Sequence, residues 1–105
     1  MEIFVPVARV GEIAPGKMKA AEVSGRAMLV ANAGGTHFVC VRSCPHEGAD
    51  MLEGELAERQ VICNNHGYRF DLATGTCLLP KGECPDLSTL PVVEKDGEVC
   101  VKIEW

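Results

Sequence analysis

Two short pairs of metal-binding residues dominate this chain: Cys44-Pro45-His46 and, sixteen residues later, Cys63-Asn64-Asn65-His66. Soft thiolates suit iron–sulfur clusters, and imidazole suits zinc and iron alike. Each pair supplies one sulfur and one nitrogen. A single site can use all four only if the fold brings two separate loops together. Any architecture must therefore present residues 44–46 beside residues 63–66. Pro45 and Gly48 stiffen and turn the first loop, and Gly67 lets the second pass close to a bound group. Four such ligands could also hold a tetrahedral zinc ion. Zinc fingers, however, usually pair cysteine with cysteine and histidine with histidine. The mixed pairs favour a two-iron centre, with zinc as the alternative.

A [2Fe–2S] cluster is two irons bridged by two sulfides, and each iron needs two further ligands. In a Rieske centre one iron keeps two cysteines and the other takes two histidines. That division gives Cys44 and Cys63 to one iron and His46 and His66 to the other. Replacing two thiolates by neutral imidazoles moves the formal charge of the oxidised centre from about −2 to about zero, which eases addition of an electron. Rieske potentials accordingly lie at roughly −150 to +300 mV, against about −400 mV for plant-type ferredoxins.

The chain resembles Rieske-type ferredoxins, especially the small ferredoxin components of bacterial ring-hydroxylating dioxygenase systems, over essentially its whole length. The resemblance is carried by Cys44-Pro45-His46-Glu47-Gly48-Ala49, by Leu52-Glu53-Gly54-Glu55-Leu56 and by His66-Gly67-Tyr68-Arg69-Phe70-Asp71 with Thr74-Gly75. A late Pro91-Val92 and a terminal strand complete it. Asn64 stands where the family commonly has proline. The resemblance implies an all-β fold: an antiparallel β-sandwich base with a small cluster-binding subdomain, both ligand loops at its tip. It implies a cluster held by Cys44, His46, Cys63 and His66. It also implies a carrier of single electrons from an NAD(P)H-dependent flavoprotein reductase to a terminal oxygenase. A multicomponent monooxygenase is the alternative partner, and a non-redox or zinc-held small subunit the alternative class. High-potential members carry hydroxyl donors after the second histidine and a disulfide between the loops. The matching positions here are Tyr68 and Phe70, and Ala49 and Asn65. Phe70 has no hydroxyl and neither of the last two is cysteine, so the expectation is the low-potential end of the range.

At 105 residues the chain fits one domain, residues 1–105, with the cluster-binding part about residues 43–84. There is no room for the large mononuclear-iron domain of oxygenase α-subunits, so an electron-transfer role is expected rather than an enzyme. Of six cysteines, Cys40 and Cys100 lie in apolar runs and read as small buried hydrophobes. Cys77 and Cys84 flank a proline-containing loop, and whether they pair stays open. Free thiols fit a reducing cytoplasm. No apolar run approaches the roughly 20 residues of a membrane-spanning helix, and the N-terminus is broken by charge and proline. The net charge of −5 and only five aromatic residues argue against nucleic acid. Glu47, Asp50, Glu53, Glu55 and Glu58 either steer a basic partner or form a solvated face.

Short apolar runs punctuated by Gly, Pro and Asp predict strands over residues 3–10, 17–23, 26–31, 37–41, 60–62, 68–70, 90–93 and 98–103. Ser24-Gly25 and Asp96-Gly97 mark two-residue hairpin turns. Pro80, Cys84 and Pro85 are expected in a third loop covering the cluster, or else simply end strands. His37 reads as a surface or half-buried residue, and Trp105 closes the chain, either packed or exposed.

Overall fold

The computed structural model describes residues 2–45, 48–64, 67–82 and 84–104. His46, Glu47, Asn65, His66 and Trp105, all singled out in the sequence, lie outside the described residues.

Among the described residues eleven strands run in the order β1 (Glu2–Arg9), β2 (Met18–Val23), β3 (Arg26–Ala33), β4 (Thr36–Val41), β5 (Glu55–Ala57), β6 (Gln60–Ile62), β7 (Arg69–Asp71), β8 (Cys77–Leu79), β9 (Thr89–Leu90), β10 (Val92–Lys95) and β11 (Glu98–Glu104). A short 3₁₀ helix, Met51–Glu53, stands before β5. The strands form three antiparallel sheets: β1-β11-β10, β2-β3-β4-β9 and β5-β6-β7-β8. The fold is all-β, as the ligand-loop motifs implied.

The β2-β3-β4-β9 sheet is the middle layer, and β3 shows why. Met28, Leu29, Val30 and Ala31 are all buried, a continuous apolar run that a sheet covered on both faces requires. Successive side chains point to opposite faces. Met28 and Val30 join Ala8, Ile13, Val39, Val99 and Val101 in the sandwich interior. Leu29, Ala31 and Ala33 turn the other way, onto Met51, Val61, Phe70 and Leu72 of the third layer. Cys44 and Cys63 sit in that second core. The ligand-bearing layer is thus seated on the outer face of the base through a shared apolar interior.

Two expectations need correction. The strand predicted over residues 90–93 is two strands in two sheets: β9 pairs with β4, and β10 pairs with β11. Pro91 sits at the break, where it has no N–H to give a ladder, and its carbonyl accepts from Lys102 N at 3.0 Å. The segment therefore stitches both base sheets together. His37, expected at or near the surface, is buried on β4, which lies between β3 and β9. Neither ring nitrogen has a hydrogen-bond partner among the described residues, and Glu94 Oε1 stands 3.9 Å from Nδ1.

Candidate metal centre

The two cysteines arrive on loops closed by the same two backbone bonds. In the first, Cys44 N donates to Ala49 O at 2.8 Å and Gly48 N donates to Cys44 O at 2.7 Å. In the second, Cys63 N donates to Tyr68 O at 2.7 Å and Gly67 N donates to Cys63 O at 3.2 Å. The glycine four residues after each cysteine has φ of 76° and 70°, a left-handed backbone that other L-residues adopt only with strain. Gly48 and Gly67 are therefore needed for the turn itself. The paired spacing C-x-x-x-G was visible in the sequence, but its shared bonding was not.

Each loop rises from a short paired stem. The first stands on the Ser43–Asp50 bridge and the second on the Ile62–Arg69 pair between β6 and β7. Asp50 does more than pair. Arg42 Nε and Nη2 donate to its two oxygens at 2.9 and 2.7 Å, and its Oδ1 also accepts from Leu52 N at 3.0 Å, capping the 3₁₀ helix. Met51 N returns to Arg42 O at 2.8 Å. The bond from Arg42 holds the Asp50 carboxyl below its usual value, partial burial opposes that, and the Leu52 N–H lowers it further. Asp50 was read from sequence only as part of an acidic face; it is a stem residue of the first ligand loop.

A pH prediction follows from that pair. Asp50's folded value lies below its ordinary 3.8, so its contribution is complete above that pH and disappears as pH falls through the lower folded value. Asp50→Asn is expected to lower the melting temperature near neutral pH, and the gap from the unmodified protein should close in acid. Both partners are substantially exposed, so the effect is modest. A gap that stays constant from neutral to strongly acidic solution would show that the ion pair does not hold this stem.

Cys44 and Cys63 are 2% and 1% exposed, inside one apolar core with Cys77. Two buried thiols on twin loops are soft donors shielded from water, and that is what an iron–sulfur centre takes. The histidines that the motif supplies, His46 and His66, are outside the described residues. Among the described residues no group of three or more His, Cys, Asp or Glu could hold a metal ion. That pattern offers no separate metal site among them.

Residues behind the loops limit what can tune the centre. Phe70 is fully buried and offers no hydroxyl. Tyr68 packs against the same core and lends its carbonyl to Cys63. Segment 84–88 ties the ligand-bearing layer to the base: Leu87 N donates to Gly75 O at 2.7 Å, and Val41 N to Ser88 O at 2.9 Å. Asp86 Oδ1 accepts from Cys77 N at 3.1 Å. Cys40 and Cys100 are buried as expected, and burial pushes the Cys40 thiol up to about 12. No helix among the described residues is long and apolar enough to cross a membrane.

Comparison with known proteins agrees with this geometry. The model of the Rieske [2Fe-2S] domain family matches residues 3–94. The ferredoxin component of the alkene monooxygenase system of Xanthobacter autotrophicus is 28% identical, the match covering 96% of this chain and 82% of that one. The ferredoxin component of naphthalene 1,2-dioxygenase/salicylate 5-hydroxylase systems from Ralstonia sp. is also 28% identical, over 96% of each. A solved complex of reduced oxygenase and oxidized ferredoxin in carbazole 1,9a-dioxygenase contains a chain with a TM-score of 0.84 and 27% identity. That match spans 94% of this chain and 92% of the other. The chain belongs to the Rieske [2Fe-2S] domain family. Its cofactor is a Rieske-type [2Fe–2S] cluster, and it is an electron carrier rather than a catalyst.

Proposed function

We propose that this chain is the ferredoxin of a multicomponent oxygenase, taking single electrons from an NAD(P)H-dependent flavoprotein reductase and passing them to a terminal ring-hydroxylating oxygenase in the cytoplasm. The observation that carries this reading is the pair of buried thiols, Cys44 and Cys63, on loops of identical bonding. On this reading Cys44, His46, Cys63 and His66 are the four ligands, within one Rieske domain over residues 1–105 and its cluster-binding part at about 43–84. When bound, the cluster accepts and releases one electron at a time. The chain's own residues would hold it, with Cys44 and Cys63 kept from water in the apolar core. The relatives support the partner class: two are ferredoxin components of oxygenase systems, and one structural neighbour is a complex with an oxygenase. A monooxygenase partner is the second reading, favoured by the alkene monooxygenase relative.

The reduced protein is expected to give a Rieske-type EPR spectrum and a potential near the bottom of the roughly −150 to +300 mV range. Phe70 in place of a hydroxyl donor, and Ala49 where a loop disulfide would begin, support that value. A clearly positive potential would defeat the low-potential assignment. In the functional test, NADH and a flavoprotein reductase reduce cytochrome c only when this protein is added. Reduction independent of it, with the cluster shown intact, would remove the shuttle role.

A further inference from the structure

We propose that the outer face of the ligand-bearing sheet is the docking surface for the terminal oxygenase, and that a stripe running from acid to base across its four strands sets the orientation of that partner. The partner rests on the function proposed above; the surface is read from register. Glu55 pairs with Ile62, Ile62 with Arg69 and Arg69 with Leu79. Directly paired residues share a face. Val61 and Phe70, next to Ile62 and Arg69 in the chain, are buried in the core beneath. The row of four therefore looks away from the base. The ladder slips between Phe70–Cys77 and Arg69–Leu79, and this bulge brings Leu79 rather than Leu78 beside Arg69.

Leu79 is 54% exposed, the most exposed large hydrophobic among the described residues. It lies on β8, an edge of its sheet. The charges along the row are sorted. Glu55, with Glu53 just before β5, stands at one side; Arg69 and the exposed Lys81 stand at the other. Arg69 Nη1 meets a neutral partner, Gln60 Oε1, at 3.3 Å. Neither Arg69 nor Lys81 has an ion pair among the described residues. A crevice of about 300 Å³ opens beside the row, lined by Glu55, Ile62 and Arg69 and also by Cys63. A side chain seated there comes up to a proposed cluster ligand. The complementary surface has the reverse order: an apolar patch flanked by a cation opposite Glu55 and a carboxylate opposite Arg69. Complementarity of this kind sets register and encounter rate more than raw affinity.

Two experiments on the cluster-loaded protein separate the surface from the function. In the first, the reduced protein passes one electron to ferricyanide, giving ferrocyanide, in stopped flow. Ferricyanide is an anion, so Arg69→Gln and Lys81→Glu should slow the transfer several-fold and Glu55→Gln should hasten it, with the reduction potential unchanged. Lys95→Glu makes the same charge change on the far base sheet and should leave the rate nearly unaltered. Equal effects from Lys81→Glu and Lys95→Glu, or no effect from either, would overturn this face as the exit for electrons. In the second, Leu79→Asp should raise the KM for this protein in electron transfer to the terminal oxygenase several-fold with kcat unchanged. Calorimetric titration of the oxidised protein should show the same loss of affinity. Val93→Asp, on the far sheet, should change neither. An unchanged KM, or an equal rise from Val93→Asp, would overturn the docking site. Charge effects with ferricyanide in a protein that reduces no oxygenase would overturn the function and the named partner, and leave the exit face standing.

Discussion

Gly54→Ala is expected to strip the protein of its cluster and lower its melting temperature sharply. Gly54 ends the 3₁₀ helix that follows the first ligand loop, and its N–H closes on Met51 O at 3.1 Å. A Cβ built at Gly54 falls far inside van der Waals contact of Ile62 O, and the amide of Asn64 is 3.3 Å away. These are backbone atoms on either side of Cys63, so no flexible side chain can swing aside. The Gly54 side or the Cys63 side of the contact must shift. Core overpacking typically costs ~1–3 kcal/mol and occasionally more, and rigid backbone on both sides puts Gly54 at or above the top of that range. The readouts are the cluster absorbance per protein and the melting temperature. Full loading and an unchanged transition would show that the two ligand loops are not held in register by this contact.

His66→Cys tests the charge argument behind the function. Where the cluster assembles, the expected potential falls by on the order of 100 mV, toward the four-thiolate value. The histidine side also predicts a pH signature. A neutral imidazole ligand keeps a second N–H that ionises in alkaline solution, and the anionic form favours the oxidised iron. The unmodified protein's potential should therefore fall as pH rises, and less steeply in His66→Cys, which keeps one imidazole. His66→Ala, with a ligand simply removed, is expected to lose the cluster. An unchanged potential in His66→Cys, or a flat alkaline profile in the unmodified protein, would place the ligands elsewhere.

The cofactor class was legible in the chain because Cys44, His46, Cys63 and His66, the proposed ligands, are rare residue types at telling separations. The hairpins were legible too: Ser24-Gly25 and Asp96-Gly97 adopt positive φ at both positions and join the expected strands. What escaped was what depends on three dimensions. β5 and β8 escaped, although β6 and β7 are equally short, because β6 and β7 flank the Cys63 loop and so had a motif to mark them. The run through Leu90 and Val92 looked continuous because periodicity carries no sign that Pro91 changes sheets. His37 looked like a surface or half-buried residue because no sequence window shows which strand will be inside. Arg42 and Asp50 are eight positions apart, and only folding of the first loop turns them into a two-bond pair.

The twin ligand loops carry a last implication. Each is moulded by main-chain bonds from its cysteine to positions four and five residues on, and the histidines stand two and three residues on, within that span. The mould does not depend on which side chains fill the rungs between cysteine and glycine. Lengthening either mould by a single residue, by contrast, would break both of its closing bonds at once. The count of residues between cysteine and glycine is thus as tightly set as the identity of the glycine itself.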